Sequence, residues 1–253
     1  VTDAFREDPV RILRVARFLA RWPGFEVAGD TLALMRRMVA QGEVDHLVPE
    51  RVWQELARGL MEPHPGRMLA TLHACGALGR AVSAAVDPGA FHHTLESSPL
   101  FAQAALPVRF GWLVAHLSDA DALGALCDAL RVPNEPRDLA LLVHREGAAV
   151  GASGSLGAAD MVALLDRCDT WRKPERLHAL LQVLDGLALR DADRGEARRQ
   201  VTARVAAAMN RLQALDLRAV SRQALADGLK GADVGQALAS ARRRCLEDGG
   251  WAA

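Results

Sequence analysis

Residues 8–22 place Ile12, Leu13, Ala16, Leu19 and Ala20 at the three- and four-residue spacing of one helical face. Arg11, Arg14, Arg17 and Arg21 fall mostly opposite, as a stripe over roughly a third of the surface. Glu7 and Asp8 stand where acids favour a helix start, and Pro9 suits its first turn. The same period predicts further helices near 29–41, 49–61, 65–75, 100–117, 119–130, 135–147, 158–169, 173–190, 195–214, 218–227 and 232–246. Asp30 is a candidate cap for the second. Half of the 253 residues are apolar, yet aromatics make up only 4 % and tyrosine is absent, so strand-forming runs are scarce. The expected fold class is all-α, with no fixed-period repeat.

Turn signals punctuate this pattern at Asp87-Pro88-Gly89 and Ser97-Ser98-Pro99, predicting a break over 79–99. Gly147 to Gly157, rich in Gly, Ala and Ser, reads as the least structured stretch and a mobile loop. The expected divisions are 1–80, 81–150 and 151–253. The chain is long enough for one large or two modest cores. No run of about 18 or more apolar residues occurs, so no membrane span is expected. Cys75, Cys127, Cys168 and Cys245 are widely separated and lack ligand-like spacing, which reads as reduced, mostly buried thiols of a cytoplasmic protein.

Formal charge is zero, with 31 basic and 31 acidic residues, so the whole-chain balance announces no nucleic-acid partner. Locally, residues 201–245 hold seven arginines and one lysine against three aspartates. That excess suits RNA phosphates, and equally an ordinary arginine-rich helical surface.

Asp8 and Arg11 are three residues apart and share a helical face. A carboxylate accepts and a guanidinium donates, so the pair forms an acceptor–donor edge. The amino groups of adenine and cytosine complement Asp8, and their ring nitrogens complement Arg11. Guanine and uracil present a carbonyl and a ring N–H there, and a site that leaves polar groups unpaired rejects the wrong ligand strongly. The stripe is also what a solvated helix face looks like, and spacing does not separate the two readings.

Glu7-Asp8-Pro9-Val10-Arg11-Ile12-Leu13-Arg14-Val15-Ala16-Arg17-Phe18 resembles the nucleobase-reading motif of class II tRNA nucleotidyltransferases, the bacterial CCA-adding enzymes. The resemblance continues through Leu34-Met35-Arg36-Arg37-Met38-Val39, through residues 42–56 (Gly42-Glu43-Val44-Asp45 to Val52-Trp53-Gln54-Glu55-Leu56), and through Gly59-Leu60-Met61-Glu62 and Cys75-Gly76-Ala77-Leu78. It is weaker between about 80 and 130, then returns at Arg137 to Val143, Leu165 to Asp169 and Gly228 to Gly235.

The resemblance implies the helical neck, body and tail of such an enzyme, which adds C, C and A to the tRNA 3′ end from CTP and ATP without a template. It implies that Asp8 and Arg11 read the incoming base, that Arg14 contributes charge-assisted bonds to the nucleotide, and that Glu7 positions the helix start. Glu50, Arg51 and Glu55 would brace the base-reading helices. Lys230, Arg242 and Arg243 would contact tRNA, Lys230 from the Gly228-Leu-Lys-Gly231 turn.

Nucleotidyl transfer uses carboxylate-bound Mg2+, which the family carries on a β-containing head preceding this motif. Asp119 with Asp121, and Asp191 with Asp193, have the right spacing but helical surroundings, and read as caps or exposed acids. No catalytic residue and no metal site is therefore expected in this chain, which alone should not add nucleotides. The opening on Val1 reads as a C-terminal portion, its head supplied in cis or by another chain, with the oligomeric state open. Many relatives also carry a His-Asp phosphohydrolase pair, where this chain has Ala115-His116, so residues 81–150 read as a degenerate remnant of that domain. Alternative readings are a bacterial poly(A) polymerase, which shares a similar motif, or a non-catalytic tRNA-binding helical protein.

Overall fold

In the computed structural model, which describes residues 8–251, the arginine-striped segment forms helix α1 (Val10–Arg21). Ile12, Ala16 and Ala20 on its apolar face are fully buried, and Val10, Leu13 and Leu19 nearly so. Each large aliphatic chain buried this way contributes ~1.5–3 kcal/mol. That face packs on α3 (Pro49–Leu60) and α4 (Pro65–Ala74). Pro49 and Pro65 lie in the first turns of their helices, where the missing N–H leaves no bond unmade. Gly59 permits α3 and α4 to approach closely, since a Cβ there would lie 2.1 Å from Met68 Sδ.

Helix α2 (Gly29–Ala40) leads into a 3-10 turn, Glu43–His46. Asp30 lies inside the first turn of α2 and makes no capping bond, Ala28 being the cap residue. Its charge still favours the positive helix end. The predicted break after residue 78 is partly helical: Leu78–Ser83 forms a π-helical segment. From it Arg80 donates to the Val39 carbonyl at 2.7 Å and grips the Asp45 carboxylate through two nitrogens. Helices α5 (His93–Glu96) and α6 (Pro99–Gln103) follow, and Phe91, Leu95 and Phe101 are buried. The Phe91, Phe101 and Trp112 rings meet at centroid distances of 6.0–6.5 Å.

The single helix predicted over 100–117 is two. Ala104 and Ala105 are extended, and α7 (Leu106–Val114) restarts with Pro107 in its first turn, as a residue without an N–H requires. Arg109, buried on α7, donates to the carbonyls of Leu60, Glu62, Phe101 and Ala104 at 2.8–3.2 Å. Its guanidinium also stacks 3.9 Å from the centre of the Phe101 ring. This one side chain ties α7 to the C-terminal carbonyls of α3 and of α6.

After α8 (Ala120–Ala129), α9 (Asn134–Gly151) runs four residues beyond the predicted end at 147. The stretch expected to be a loop is helical to Gly151 and passes into a 3-10 turn, Ser153–Ser155, because Val150 and Ser153 are fully buried. The chain divides into two compact units, Val1–His144 and Arg145–Ala253, with residues 1–80 and 81–144 in the same unit.

The second unit comprises α10 (Ala158–Arg167), α11 (Pro174–Ala188), α12 (Gly195–Gln213), α13 (Leu217–Ala226) and α14 (Ala232–Glu247). Its main packings are α11 on α12, α13 on α14 and α10 on α14. Asp216 starts α13 by accepting from the Ala219 N–H at 2.9 Å. Buried Glu146 accepts from Arg167 at 2.9 Å and Arg145 at 3.0 Å. The described residues form no strand, and no helix among them is long and apolar enough to cross a membrane.

Candidate functional site

The start of α1 is held from two directions. Asp8 Oδ1 accepts from the Val10 N–H at 3.2 Å, and the Asp8 carbonyl accepts from the Arg11 N–H at 3.0 Å. Asp8 Oδ2 pairs with Arg51 Nη2 at 3.1 Å, across from the first turn of α3. A carboxylate has about four lone-pair positions. The helix start and Arg51 occupy two, leaving acceptor capacity on a carboxylate whose orientation is fixed. Its side chain keeps 33 % exposure, so that capacity is accessible.

Arg11 is half-buried and Arg14 exposed on the same helix, and among the described residues neither has an ion-pair partner. Arg17 behaves differently: its Nε lies 2.8 Å from Glu55 Oε2, while Arg58 approaches Oε1 at 3.4 Å. Glu55 is buried and central to this triplet. Among the described residues the arginine stripe therefore has an N-terminal part without ion-pair partners and an anchored third member.

Of the brace residues, Arg51 pairs with Asp8 just ahead of α1 and Glu55 with Arg17 on α1, whereas Glu50 is exposed. Glu7 lies outside the described residues. What sequence reasoning missed is that Arg51 holds Asp8 itself. The available signal was Pro49, which starts α3 so that Arg51 falls in its first turn.

The expected RNA-contacting residues separate into two kinds. Lys230 is exposed between Gly228 and Gly231, whose φ angles of +84° and +53° make the turn and leave open space around it. Arg243 is also exposed, 3.6 Å from Glu247. Arg242 is not an exposed contact. Its side chain is only 13 % exposed, its guanidinium lies 4.1 Å from the Trp171 ring centre, and Asp166 is 3.9 Å away. Burial lowers its pKa, with Asp166 opposing. Trp171 supplies a face that spacing alone did not show.

Asp119, Asp191 and His116 make local bonds. Asp119 caps α8 by accepting from the Asp121 N–H at 2.9 Å. Asp191 accepts from the Arg194 N–H at 2.9 Å and pairs with Arg198 at 3.3 Å. His116 Nε2 lies 2.5 Å from the Ala85 carbonyl and 3.2 Å from the Asp87 N–H, so this histidine fastens the turn after the π-helical segment. Among the described residues no three His, Cys, Asp or Glu side chains converge as a metal set. Cys75, Cys127 and Cys168 are buried and Cys245 half-buried, all unpaired. Burial pushes the Cys127 and Cys168 thiols up to about 11.

Known proteins resemble this chain in sequence and in fold. The family model "Probable RNA and SrmB- binding site of polymerase A" matches residues 24–81. The multifunctional CCA protein of an Acidovorax species is 43 % identical over 98 % of this chain and 66 % of its own length. That of Burkholderia mallei is 43 % identical over 97 % of this chain and 67 % of its own. Two solved structures share the fold. A Thermotoga maritima CCA-adding enzyme complexed with tRNA has a TM-score of 0.66 at 15 % identity, covering 96 % of this chain and 58 % of that one. A CCA-adding enzyme with ATP has a TM-score of 0.65 at 15 % identity, covering 97 % and 57 %. The chain thus spans 66 % of the length of the Acidovorax relative, with the all-α architecture expected from its sequence. It belongs to the family of multifunctional CCA proteins.

Proposed function

We propose that this chain is the base-reading and tRNA-holding part of a CCA-adding tRNA nucleotidyltransferase, which builds and repairs the 3′-terminal CCA of tRNA from CTP and ATP. The observation that carries the reading is the Asp8–Arg51 pair at the start of α1, about one turn from Arg11 and two from Arg14. Asp8 accepts the amino group of adenine or cytosine, Arg11 donates to the adjacent ring nitrogen, and Arg14 supplies charge to the nucleotide. Arg51 keeps the Asp8 acceptor pointed, so that a guanine or uracil carbonyl meets it as like against like.

In this reading residues 1–80 form the neck, 81–150 the body and 151–253 the tail. Lys230 and Arg243 face tRNA phosphates, which position RNA without reading its sequence. Glu7 supports the helix start. Mg2+ and the carboxylates that hold it belong to a head outside these residues, in cis or in trans, and the setting is the cytoplasm.

The test uses a head-bearing form of the protein with a tRNA transcript lacking CCA, together with CTP and ATP. Sequential incorporation of C, C and A supports the proposal. An extended A tract would make it a poly(A) polymerase, and tRNA binding without incorporation would make it an RNA-binding protein alone.

A further inference from the structure

Phe18, Trp22 and Phe25 form a ladder of rings on the surface at the C-terminal end of α1. Phe18 and Trp22 stack at 5.4 Å between centroids, and Trp22 and Phe25 follow at 5.6 Å. Their exposures are 36 %, 41 % and 63 %. In a chain with 4 % aromatics, three contiguous rings left in water need an explanation, because large exposed apolar patches mark interaction sites.

Two features identify the occupant. First, the surroundings are cationic. Arg17 lies 4.9 Å from the Phe18 ring centre and Arg21 5.3 Å from that of Trp22. Arg67 donates to the carbonyls of Pro23 and Phe25, which fixes the turn that carries the last ring. Of these arginines only Arg17 has a carboxylate partner among the described residues, so Arg21 and Arg67 bring to the rings positive charge that no described acid pairs.

Second, the ladder continues the face that carries Arg11. Phe18 and Trp22 follow Arg11 by seven and eleven residues, about two and three turns, and so point the same way. At 1.5 Å per residue, Trp22 lies about 16 Å from Arg11 along the axis. Stacked nucleotides spaced about 3.4 Å apart cover that distance in four or five units.

We propose that Phe18, Trp22 and Phe25 are a stacking platform for unpaired RNA nucleotides, with Arg21 and Arg67 matching the phosphates. Rings offer every base a face, and basic side chains follow the backbone, which is how single strands are held without sequence preference. This inference deepens the proposed function, naming single-stranded RNA as what the α1 face takes, and it rests on that reading only for the direction of the strand.

The test is titration of the chain into a fluorescein-labelled six-nucleotide RNA, single-stranded or as a blunt duplex. The wild-type chain is compared with Trp22→Phe and with the double variant Trp22→Ala/Phe25→Ala, the fold of each being checked by circular dichroism. The expected result is a preference for the single strand, retained in Trp22→Phe and weakened about tenfold or more in the double alanine variant. Trp22 fluorescence should be quenched on binding, and affinity should fall as salt rises.

No detectable binding by the wild-type chain, or equal affinity in all three forms, would overturn the proposal. So would a dimer in sedimentation that dissociates in the alanine variant while RNA affinity stays unchanged, since the rings would then seat a second copy. Ring-dependent RNA binding in a protein whose head-bearing form adds no C, C and A would sink the proposed function and leave this inference standing.

Discussion

Arg51 Nη2 stands 3.1 Å from Oδ2 of Asp8, joining the first turn of α3 to the residue that starts α1. The two side chains are 53 % and 33 % exposed, so the pair adds at most about 1 kcal/mol to stability. Its value is orientation. Arg51→Ala is expected to lower base selectivity in a head-bearing protein while moving the thermal midpoint little. Nucleotide-competition kinetics alongside a melting curve check this, and a large stability loss with selectivity intact would assign Arg51 to the scaffold alone.

Arg109 offers the contrast, because its guanidinium is buried and its partners are main-chain carbonyls. Burial lowers its pKa, with Glu96 opposing. Arg109→Met would leave the carbonyls of Leu60, Phe101 and Ala104 without this donor. The expected loss is about 3 kcal/mol or more, since each orphaned buried polar group costs roughly 1–3 kcal/mol. Urea unfolding measures it.

The acid limb of stability should carry opposite contributions from two carboxyls of the second unit. Burial pushes Glu146 up, but Arg167 and Arg145 outweigh it and hold the carboxyl below the ordinary value. Its stabilisation is therefore present above the unfolded pKa and lost as pH falls through the lower folded one. Burial raises Asp185, with the Thr202 hydroxyl opposing. The charged form is then a cost at neutral pH, relieved as pH falls through the raised folded value. Glu146→Gln should destabilise at pH 7, and Asp185→Asn should be neutral or stabilising there, with both differences shrinking in acid. Denaturant midpoints measured against pH test both signs.

Gly59→Ala should cost about 1–3 kcal/mol, since its Cβ would enter the space of buried Met68. Met68→Ala makes room for that methyl group. The double variant should therefore be more stable than the sum of the two losses predicts, a coupling that a double-mutant cycle in urea reads.

The helices were legible because their apolar periodicity and their proline starts at Pro49, Pro65 and Pro174 are local signals. The misreadings were cases where burial overruled local composition. Val150 and Ser153 are buried in a stretch whose glycines read as a loop, and Pro107 divides one apolar run into two helices. In the site, the Asp8 and Arg11 positions followed from spacing and resemblance. The partners did not: Arg51 on Asp8 is separated by 43 residues, and Trp171 under Arg242 by 71. Such pairings depend on how helices dock, which periodicity does not encode. The exposure of the rings at Phe18 and Trp22 likewise follows from which faces of α1 are covered by docked helices, which their spacing does not encode.

The central claim is that Asp8 and Arg11 choose the base. The most direct measurement is incorporation from each of ATP, CTP, GTP and UTP by a head-bearing protein carrying Asp8→Ala or Arg11→Ala. The account predicts that discrimination of A and C against G and U falls by about tenfold or more in each variant, with tRNA affinity largely kept. Unchanged discrimination, with activity lost only through weaker tRNA binding, would contradict it.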